Sequence, residues 1–310
     1  MKKIAAVFTL CLLSVGMFSG CGSPPPNAQT DVYYEFTDDL GHRVTLAQKP
    51  ERVISLFGSY SELWLLGGGD LVGVTEDTLS ERGLSLDEGV QVIGSVQHPN
   101  LELILELSPD FILLSADLDA HKELDETLTQ ARLPHAYFKM DDVDEYLHVL
   151  TICTDITQRQ DLYEQYGSAV KLQMDEILEG VPADGAKPKI LLIRSMSTKA
   201  KALKEDHMTG RMLEDLGADN IASRHDSLLE DLSLETILDE NPDFIFVVTT
   251  GNVDSAIQTL ENGMMANPAW NSLSAVQNDR YYVLPKDLFQ YKPNARWGEG
   301  YEYLYKILYP

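Results

Sequence analysis

The sequence predicts an α/β protein of two lobes, each with a mostly parallel sheet, joined by a single long α-helix. Three observations lead to this fold class. Short apolar strands alternate with amphipathic helical segments, a pattern typical of βαβ units. One helix-and-strand segment occurs twice in the chain. The two copies lie on either side of residues 142–181, where no strand pattern is present.

The alternating pattern occupies the chain before and after that central stretch. In the first part, strands are predicted at residues 35–36, 44–46, 53–56, 71–74, 91–93, 111–114 and 136–138, with helices at 61–66, 101–107 and 124–131. In the second part, strands are predicted at 190–193, 244–248 and 281–284. The predicted lobes therefore span residues 32–141 and 188–310.

The central stretch is predicted to be the helical link between the lobes. Apolar side chains from Leu162 to Leu178 recur at helical spacing within it. A helix over 158–179 would be about 33 Å long at 1.5 Å per residue. Pro182, Gly185 and Pro188 then end the helix, because proline and glycine disfavour helix interiors.

The repeat is the strongest evidence for two similar lobes. Residues 101–115 read LELILELSPDFILLS, residues 234–248 read LETILDENPDFIFVV, and eight of the fifteen positions are identical. Asn100 and Ser233 precede the two copies, and both residue types are good helix N-caps. Each copy therefore predicts a capped helix, a Pro-Asp turn and a buried strand.

The N-terminus carries an export signal. Lys2 and Lys3 precede an apolar run from Ile4 to Val15, which is the pattern of a secretory signal peptide over residues 1–20. The signal ends in Phe-Ser-Gly-Cys, which resembles a bacterial lipobox with Cys21 as the lipidated residue. Residues 21–31 would be the lipidated tether. We expect an exported protein, lipid-anchored to the outer face of the cell membrane, or periplasmic.

Composition excludes several classes of protein. The formal net charge of −25 repels phosphate backbones, so we expect no nucleic-acid partner. Cys153 is the only thiol in the predicted folded region, which excludes a disulfide framework and a cysteine-based zinc site. We expect no metal site, no cofactor, no catalytic residues and a monomeric chain.

Several segments together resemble a known family. They are DDLGHRVTLAQKPERVIS, the paired LExIL…PDFI segments, HMTGRMLEDLGADNIA, NPAWNSLSAVQNDRYYVLP and RWGEGYEYLYKILYP, which span nearly the whole mature chain. The sequence resembles the substrate-binding lipoproteins of iron-siderophore, haem and cobalamin ABC importers. The resemblance implies two Rossmann-like lobes, a ligand in the interlobe cleft, and delivery to an ABC permease dimer with a cytoplasmic ATPase.

Candidate ligand residues follow predicted strands, because loops at the carboxyl ends of strands line the crevice of an α/β sheet. Arginine and lysine there would suit an anionic chelate, and aromatic faces would suit catecholate rings or macrocycles. We predict a ferric siderophore as ligand, with haem or cobalamin as alternatives. The candidates are Phe57, Ser59, Tyr60, Gln97, His98, Arg194, Lys199, Lys204, Tyr291, Arg296 and Trp297.

Glu102 and Glu235 occupy equivalent positions in the two repeats. A carboxylate in a first helical turn is favoured by the helix dipole, which is one explanation for both. The resemblance implies a second role, in which one glutamate on each lobe contacts a basic pocket on each permease subunit. The two explanations are compatible.

Two other classes of function remain as alternatives. A bare-metal binding protein for zinc or manganese would need clustered ligands, but the seven histidines are scattered. A secreted enzyme on the same fold would need a catalytic motif, and the sequence has no GxSxG, HExxH or P-loop pattern. We therefore predict a binding protein that leaves its ligand chemically unchanged.

Overall fold

The computed structural model describes residues 32–310. The predicted signal peptide, Cys21 and the tether therefore lie outside the described residues. Within the described range, two five-stranded sheets organise the chain, one on each side of a helical central segment.

The strands of the first lobe are β1 (Tyr34–Thr37), β2 (Arg43–Leu46), β3 (Val53–Ser55), β4 (Gly73–Val74), β5 (Gln91–Val92), β6 (Gly94–Ser95), β7 (His98–Pro99), β8 (Phe111–Ser115) and β9 (His135–Phe138). The helices of this lobe are α1 (Gly58–Leu66), α2 (Asp77–Ser80), α3 (Leu101–Glu106), α4 (Asp119–Lys122) and α5 (Asp125–Gln130). Five of the strands form a sheet of order β5-β4-β3-β8-β9, in which every neighbouring pair is parallel. The pairs β1–β2 and β6–β7 form separate antiparallel hairpins.

The central segment is helical along most of its length but is divided. Helix α6 (Val143–Thr157) ends at Gln158, which has a left-handed backbone with φ 62°. A second helical run then begins with α7 (Gln160–Tyr163), passes through a π-helical turn at Glu164–Ser168 and ends with α8 (Ala169–Glu179). The predicted long helix is therefore present from Gln160, and α6 precedes it as a further helix.

The strands of the second lobe are β10 (Lys189–Ser195), β11 (Ala200–Ala202), β12 (Asp219–Asn220), β13 (Phe244–Thr249) and β14 (Tyr281–Val283). The helices of this lobe are α9 (Met208–Asp215), α10 (Leu234–Glu240), α11 (Val253–Asn262), α12 (Ser274–Gln277), α13 (Lys286–Phe289) and α14 (Trp297–Leu308). The five strands form a sheet of order β11-β10-β13-β14, with β12 paired to β10. Only the β10–β11 pair in this sheet is antiparallel, a hairpin that the sequence analysis did not predict.

One apolar core runs from the first sheet through the central helices to the second sheet. It includes Phe111, Leu150, Met174, Phe246 and Tyr301, all buried. Two smaller clusters cover the outer faces of the sheets. Since the central helices contribute to a shared core, the two lobes are held against them by apolar packing as well as by the chain itself.

The sequence repeat corresponds to α3–β8 and α10–β13, as predicted. The Asn100 side chain accepts a hydrogen bond from the Leu103 amide at 3.2 Å, and the Ser233 side chain accepts one from the Thr236 amide at 3.3 Å. Each strand that follows is buried over its whole length. The predicted fold class is therefore confirmed.

Candidate functional site

The segments that follow the strands of the two sheets meet in one region. Lys292, which follows β14, forms an ion pair with Asp141, which follows β9. The side-chain amide of Asn294 donates a hydrogen bond to the backbone oxygen of Ser59 at 3.0 Å. Ser59 lies shortly after β3 in the chain. The carboxyl ends of parallel strands border the ligand crevice in open α/β sheets. The cleft between the two sheets is therefore the candidate site.

The wall of the second lobe presents an arginine without a partner. Arg194 lies near the end of β10, directly opposite Lys201 of β11. Its Nε atom is buried, and no hydrogen-bond partner for it exists among residues 32–310. Burial lowers the pKa of Arg194, and the negative charge of Asp206 partly offsets this decrease. A buried donor without a partner is costly, so an anion that accepts a hydrogen bond from this Nε would be stabilised.

His207 lies beside this arginine and is neutral. Its Nδ1 accepts a hydrogen bond from the Thr209 amide at 3.2 Å, which caps the N-terminus of α9. Burial, together with the charges of Arg194 and Lys292, lowers the pKa of His207 to about 3. With Nδ1 accepting, Nε2 carries the proton. The second-lobe wall is thus rich in donors.

The wall of the first lobe carries carboxylates. Asp141 lies 3.4 Å from the Lys139 ammonium group and also pairs with Lys292 across the cleft. Burial raises the pKa of Asp141, but the two lysines lower it, and the net shift is downward. Burial and the nearby Asp141 raise the pKa of Asp117, which forms no ion pair with any described residue. The two walls therefore differ in charge, and they meet at the Asp141–Lys292 pair.

Residues 286–294 of the second lobe bridge to the first lobe. Arg82 donates to the Lys292 backbone oxygen at 3.0 Å and pairs with Glu62, and the Asn294 amide nitrogen contacts the same Glu62 carboxylate at 2.6 Å. Lys286 lies 3.5 Å from Glu81. Burial lowers the pKa of Arg82 to about 10. These polar bridges hold the lobes together beside the cleft.

The structure corrects three of the predicted ligand contacts. Tyr60 is only 1% exposed, and its hydroxyl donates to the Phe138 backbone oxygen at 2.6 Å. Ser59 is 2% exposed, and Trp297 is fully buried in the core. These side chains lack surface for a ligand because tertiary packing covers them. Phe57 is half-buried against Tyr60, with ring centroids 5.3 Å apart, and remains a prediction.

Two predicted cations have partners elsewhere. Lys204 pairs with Asp226 at 2.6 Å. The Arg296 guanidinium contacts Asp287 at 2.6 Å and Glu299 at 2.8 Å. Both side chains therefore form local ion pairs and are not free cations. Lys199 is exposed in the turn between β10 and β11. Of the predicted basic cluster, Arg194 is the residue whose burial and free donors fit a ligand contact.

Three further candidate residues are half-buried or exposed. Tyr291 is half-buried, and the Lys286 ammonium group lies 4.9 Å from its ring centroid. Gln97 and His98 are exposed on the hairpin of β6 and β7. Their contact with ligand stays a prediction.

A buried histidine that the sequence analysis did not single out supports this hairpin. His121 is fully buried, its Nδ1 accepts from the Ser115 amide at 2.9 Å, and its Nε2 lies 3.0 Å from the Val96 backbone oxygen. With Nδ1 accepting, Nε2 donates to Val96. Burial lowers the pKa of His121 to about 4. The neutral imidazole therefore links the end of β8 to the hairpin.

Glu102 and Glu235 are exposed in the first turns of α3 and α10. Each of these helices runs toward the start of the strand that follows it. The N-terminus of each helix therefore lies at the edge of the sheet where the parallel strands end. The two glutamates therefore occupy matching positions on the cleft side of the two lobes. Their role in docking remains a prediction.

Among residues 32–310, no group of three or more histidine, cysteine, aspartate or glutamate side chains is placed to hold a metal ion. No helix in the described range is long and apolar enough to cross a membrane.

The fold and its interlobe cleft define a two-lobed α/β binding protein. Residues 53–288 match the model of the periplasmic binding protein family, and the chain belongs to that family. The Fe(3+)-citrate-binding protein YfmC of Bacillus subtilis (strain 168) is 24% identical over 298 residues, covering 92% of this chain and 90% of that protein. Family membership places the protein among extracytoplasmic binding proteins of ABC importers.

Solved structures share the fold. The haem complex of IsdE from S. aureus superposes with a TM-score of 0.69 at 18% identity, covering 84% of this chain and 99% of that chain. The siderophore-binding protein BauB, solved with two acinetobactin molecules and ferric iron, also gives 0.69 at 16% identity, covering 89% of this chain and 96% of that chain.

Proposed function

We propose that the protein captures an anionic ferric chelate in the interlobe cleft and delivers it, chemically unchanged, to an ABC permease dimer driven by a cytoplasmic ATPase. The observation that carries the proposal is Arg194, whose buried Nε has no partner in the described chain. A ligand carboxylate, hydroxamate or catecholate oxygen would satisfy this donor. The neutral His207 beside it would supply a further hydrogen bond.

Comparison with relatives supports a chelate rather than a bare metal ion. The similar proteins include a Fe(3+)-citrate-binding protein, a protein solved in complex with haem and a siderophore-binding protein solved with ferric iron. Bare zinc or manganese would need clustered ligand side chains, and the described cleft offers lysines and an arginine beside its carboxylates. A siderophore-type ligand therefore fits the charge of the second-lobe wall better than a cation does.

The test is a fluorescence titration of the purified protein with ferric citrate, ferric siderophores of the hydroxamate and catecholate classes, haemin and cyanocobalamin. A charge-assisted hydrogen bond contributes about 1.5–3 kcal/mol. Arg194→Ala should therefore weaken binding by roughly ten- to a hundredfold. Lys204→Ala is the matched control and should change affinity less than twofold, because Lys204 already pairs with Asp226. Tight binding of cyanocobalamin alone, unaffected by Arg194→Ala, would overturn the proposal.

Docking to the permease is proposed to use Glu102 and Glu235. Ion pairs at a docking rim steer encounter and set register, and salt weakens them. Glu102→Arg with Glu235→Arg should abolish cellular uptake while ligand affinity stays within twofold of wild type. The matched control reverses Glu106 and Asp239, exposed acids near the other ends of the same helices. Normal uptake by the first double variant, or a parallel loss of ligand binding, would refute the docking role.

Export and anchoring complete the proposal. The mature protein would be a monomer held at the outer face of the cell membrane through lipidated Cys21. Cys21→Ala should release the protein or leave an unprocessed precursor, as detected by fractionation and mass spectrometry. Full membrane retention of processed Cys21→Ala protein would contradict the lipid anchor.

A further inference from the structure

The Asp141–Lys292 pair joins the two lobes across the candidate cleft. The Lys292 side chain is 15% exposed and that of Asp141 is 30% exposed. The pair is therefore largely shielded from water, where an ion pair is stronger than on an open surface. Its two residues are 151 positions apart in the chain, so the contact depends on how the lobes are placed.

The two partners of this pair are not equivalent. Asp141 has a second cation on its own lobe, the Lys139 ammonium group at 3.4 Å. Lys292 has no other acidic partner among residues 32–310. If Lys292 left the pair, Asp141 would keep Lys139. Removing one partner of a shielded ion pair normally leaves the other charge uncompensated, which is destabilising. Here the loss of Lys292 would be less destabilising, because Asp141 would still be paired with Lys139.

Lys292 also lies near the groups proposed to hold the ligand. Its charge acts on His207 together with that of Arg194. The Asp141 carboxylate is thus an internal anion next to the donors that an anionic ligand would use. Its position is fixed by the first lobe, while the donors belong to the second lobe.

We propose that the Asp141–Lys292 pair is a latch across the cleft, and that an anionic ligand binds by taking Lys292 from Asp141. This inference rests on the proposed function of the cleft. Asp141 then sets specificity, because a neutral ligand has no group to replace the carboxylate. In the bound state, Lys292 contacts the ligand and Asp141 remains paired with Lys139.

The latch predicts that substitutions of the two partners of this ion pair change ligand affinity in opposite directions. Asp141→Asn removes the competing anion and should tighten binding of ferric citrate about tenfold. Lys292→Met removes the cation that ligand recruits and should weaken binding about tenfold. A merely structural ion pair would give the same sign for both variants, since either change breaks the same contact.

Asp117→Asn is the matched control for the change in cleft charge. Asp117 lies in the same wall and forms no ion pair with a described residue, so its neutralisation should change affinity less than threefold. Equal tightening by Asp117→Asn and Asp141→Asn would mean that net charge alone acts, and would overturn the latch. Unchanged or weaker binding by Asp141→Asn would overturn it as well.

A second measurement needs no ligand and separates this inference from the proposed function. Hydrogen exchange of the ligand-free protein should speed up at residues 290–296, where the amides of Gln290, Tyr291 and Arg296 are hydrogen-bonded, and at residues 57–62. The change should be seen in Asp141→Asn and Lys292→Met, but not in Asp117→Asn. Wild-type exchange in both latch variants would refute the latch whatever the ligand is. Faster exchange in a protein that binds none of the chelates would retain the latch contact and refute the proposed ligand class.

Discussion

We expect the protein to lose stability as the pH drops from 6.5 to 5, and replacing His121 with glutamine should flatten this fall. The imidazole is buried and neutral in the folded protein, and burial lowers its pKa to about 4. In the unfolded chain the same group has a pKa of about 6.5. Between these values the unfolded chain binds more protons than the folded protein does.

The sign and size of the effect follow from this difference. The contribution of His121 to stability is fully present above pH 6.5 and is lost as the pH falls toward 4. The loss approaches about 1.4 kcal/mol per pH unit and totals roughly 3 kcal/mol over the whole window. His207, whose pKa is lowered to about 3, adds a similar loss that the variant keeps. His121→Gln should therefore remove about half of the histidine-dependent slope.

Urea unfolding at pH 7, 6 and 5 measures this slope directly. The variant itself should lose about 1–2 kcal/mol at pH 7, because one hydrogen bond to Ser115 or Val96 is broken. His98→Gln, an exposed change on the adjacent hairpin, should keep the wild-type profile. A slope for His121→Gln equal to that of wild type would show that the buried imidazole does not control acid stability.

Further predictions concern the link between the lobes. Asn294→Ala should destabilise the protein by about 2 kcal/mol or more in urea unfolding, because fully buried Asn294 donates to Ser59 and Glu62; a loss under 0.5 kcal/mol would contradict its bridging role. Gln158→Gly should stabilise by roughly 0.5–1 kcal/mol, since φ 62° suits glycine; a measured loss would refute strain at this turn. X-ray scattering profiles with and without ligand should nearly coincide, because a shared core and polar bridges oppose hinge closure; a clear drop in radius of gyration would contradict this.

Local sequence patterns were sufficient to predict most of the sheet and the repeated segments. Strands such as residues 111–115 and 244–249 are continuous apolar runs, and the caps Asn100 and Ser233 are local to their helices. These features depend on neighbours within a few positions, so one sequence reveals them. Helix α6 was harder to place, because a left-handed Gln158 separates it from the next helix without a glycine to mark the break.

The candidate site was less predictable because its contacts join distant residues. An aromatic residue after a strand can be a ligand contact or a core residue, and only tertiary packing places Tyr60 and Trp297 in the core. Lys204 belongs to a basic cluster in the sequence, but Asp226, which pairs with it, comes from a separate turn. The Asp141–Lys292 pair had no local signal at all.

Native mass spectrometry of the protein purified from its own host most directly tests the central claim, that the cleft holds an anionic ferric chelate. We expect a bound species whose mass and isotope pattern include iron, and whose occupancy falls sharply in Arg194→Ala. Lys204→Ala should retain it. A bound bare zinc or manganese ion, or a neutral ligand retained equally by Arg194→Ala, would contradict the claim.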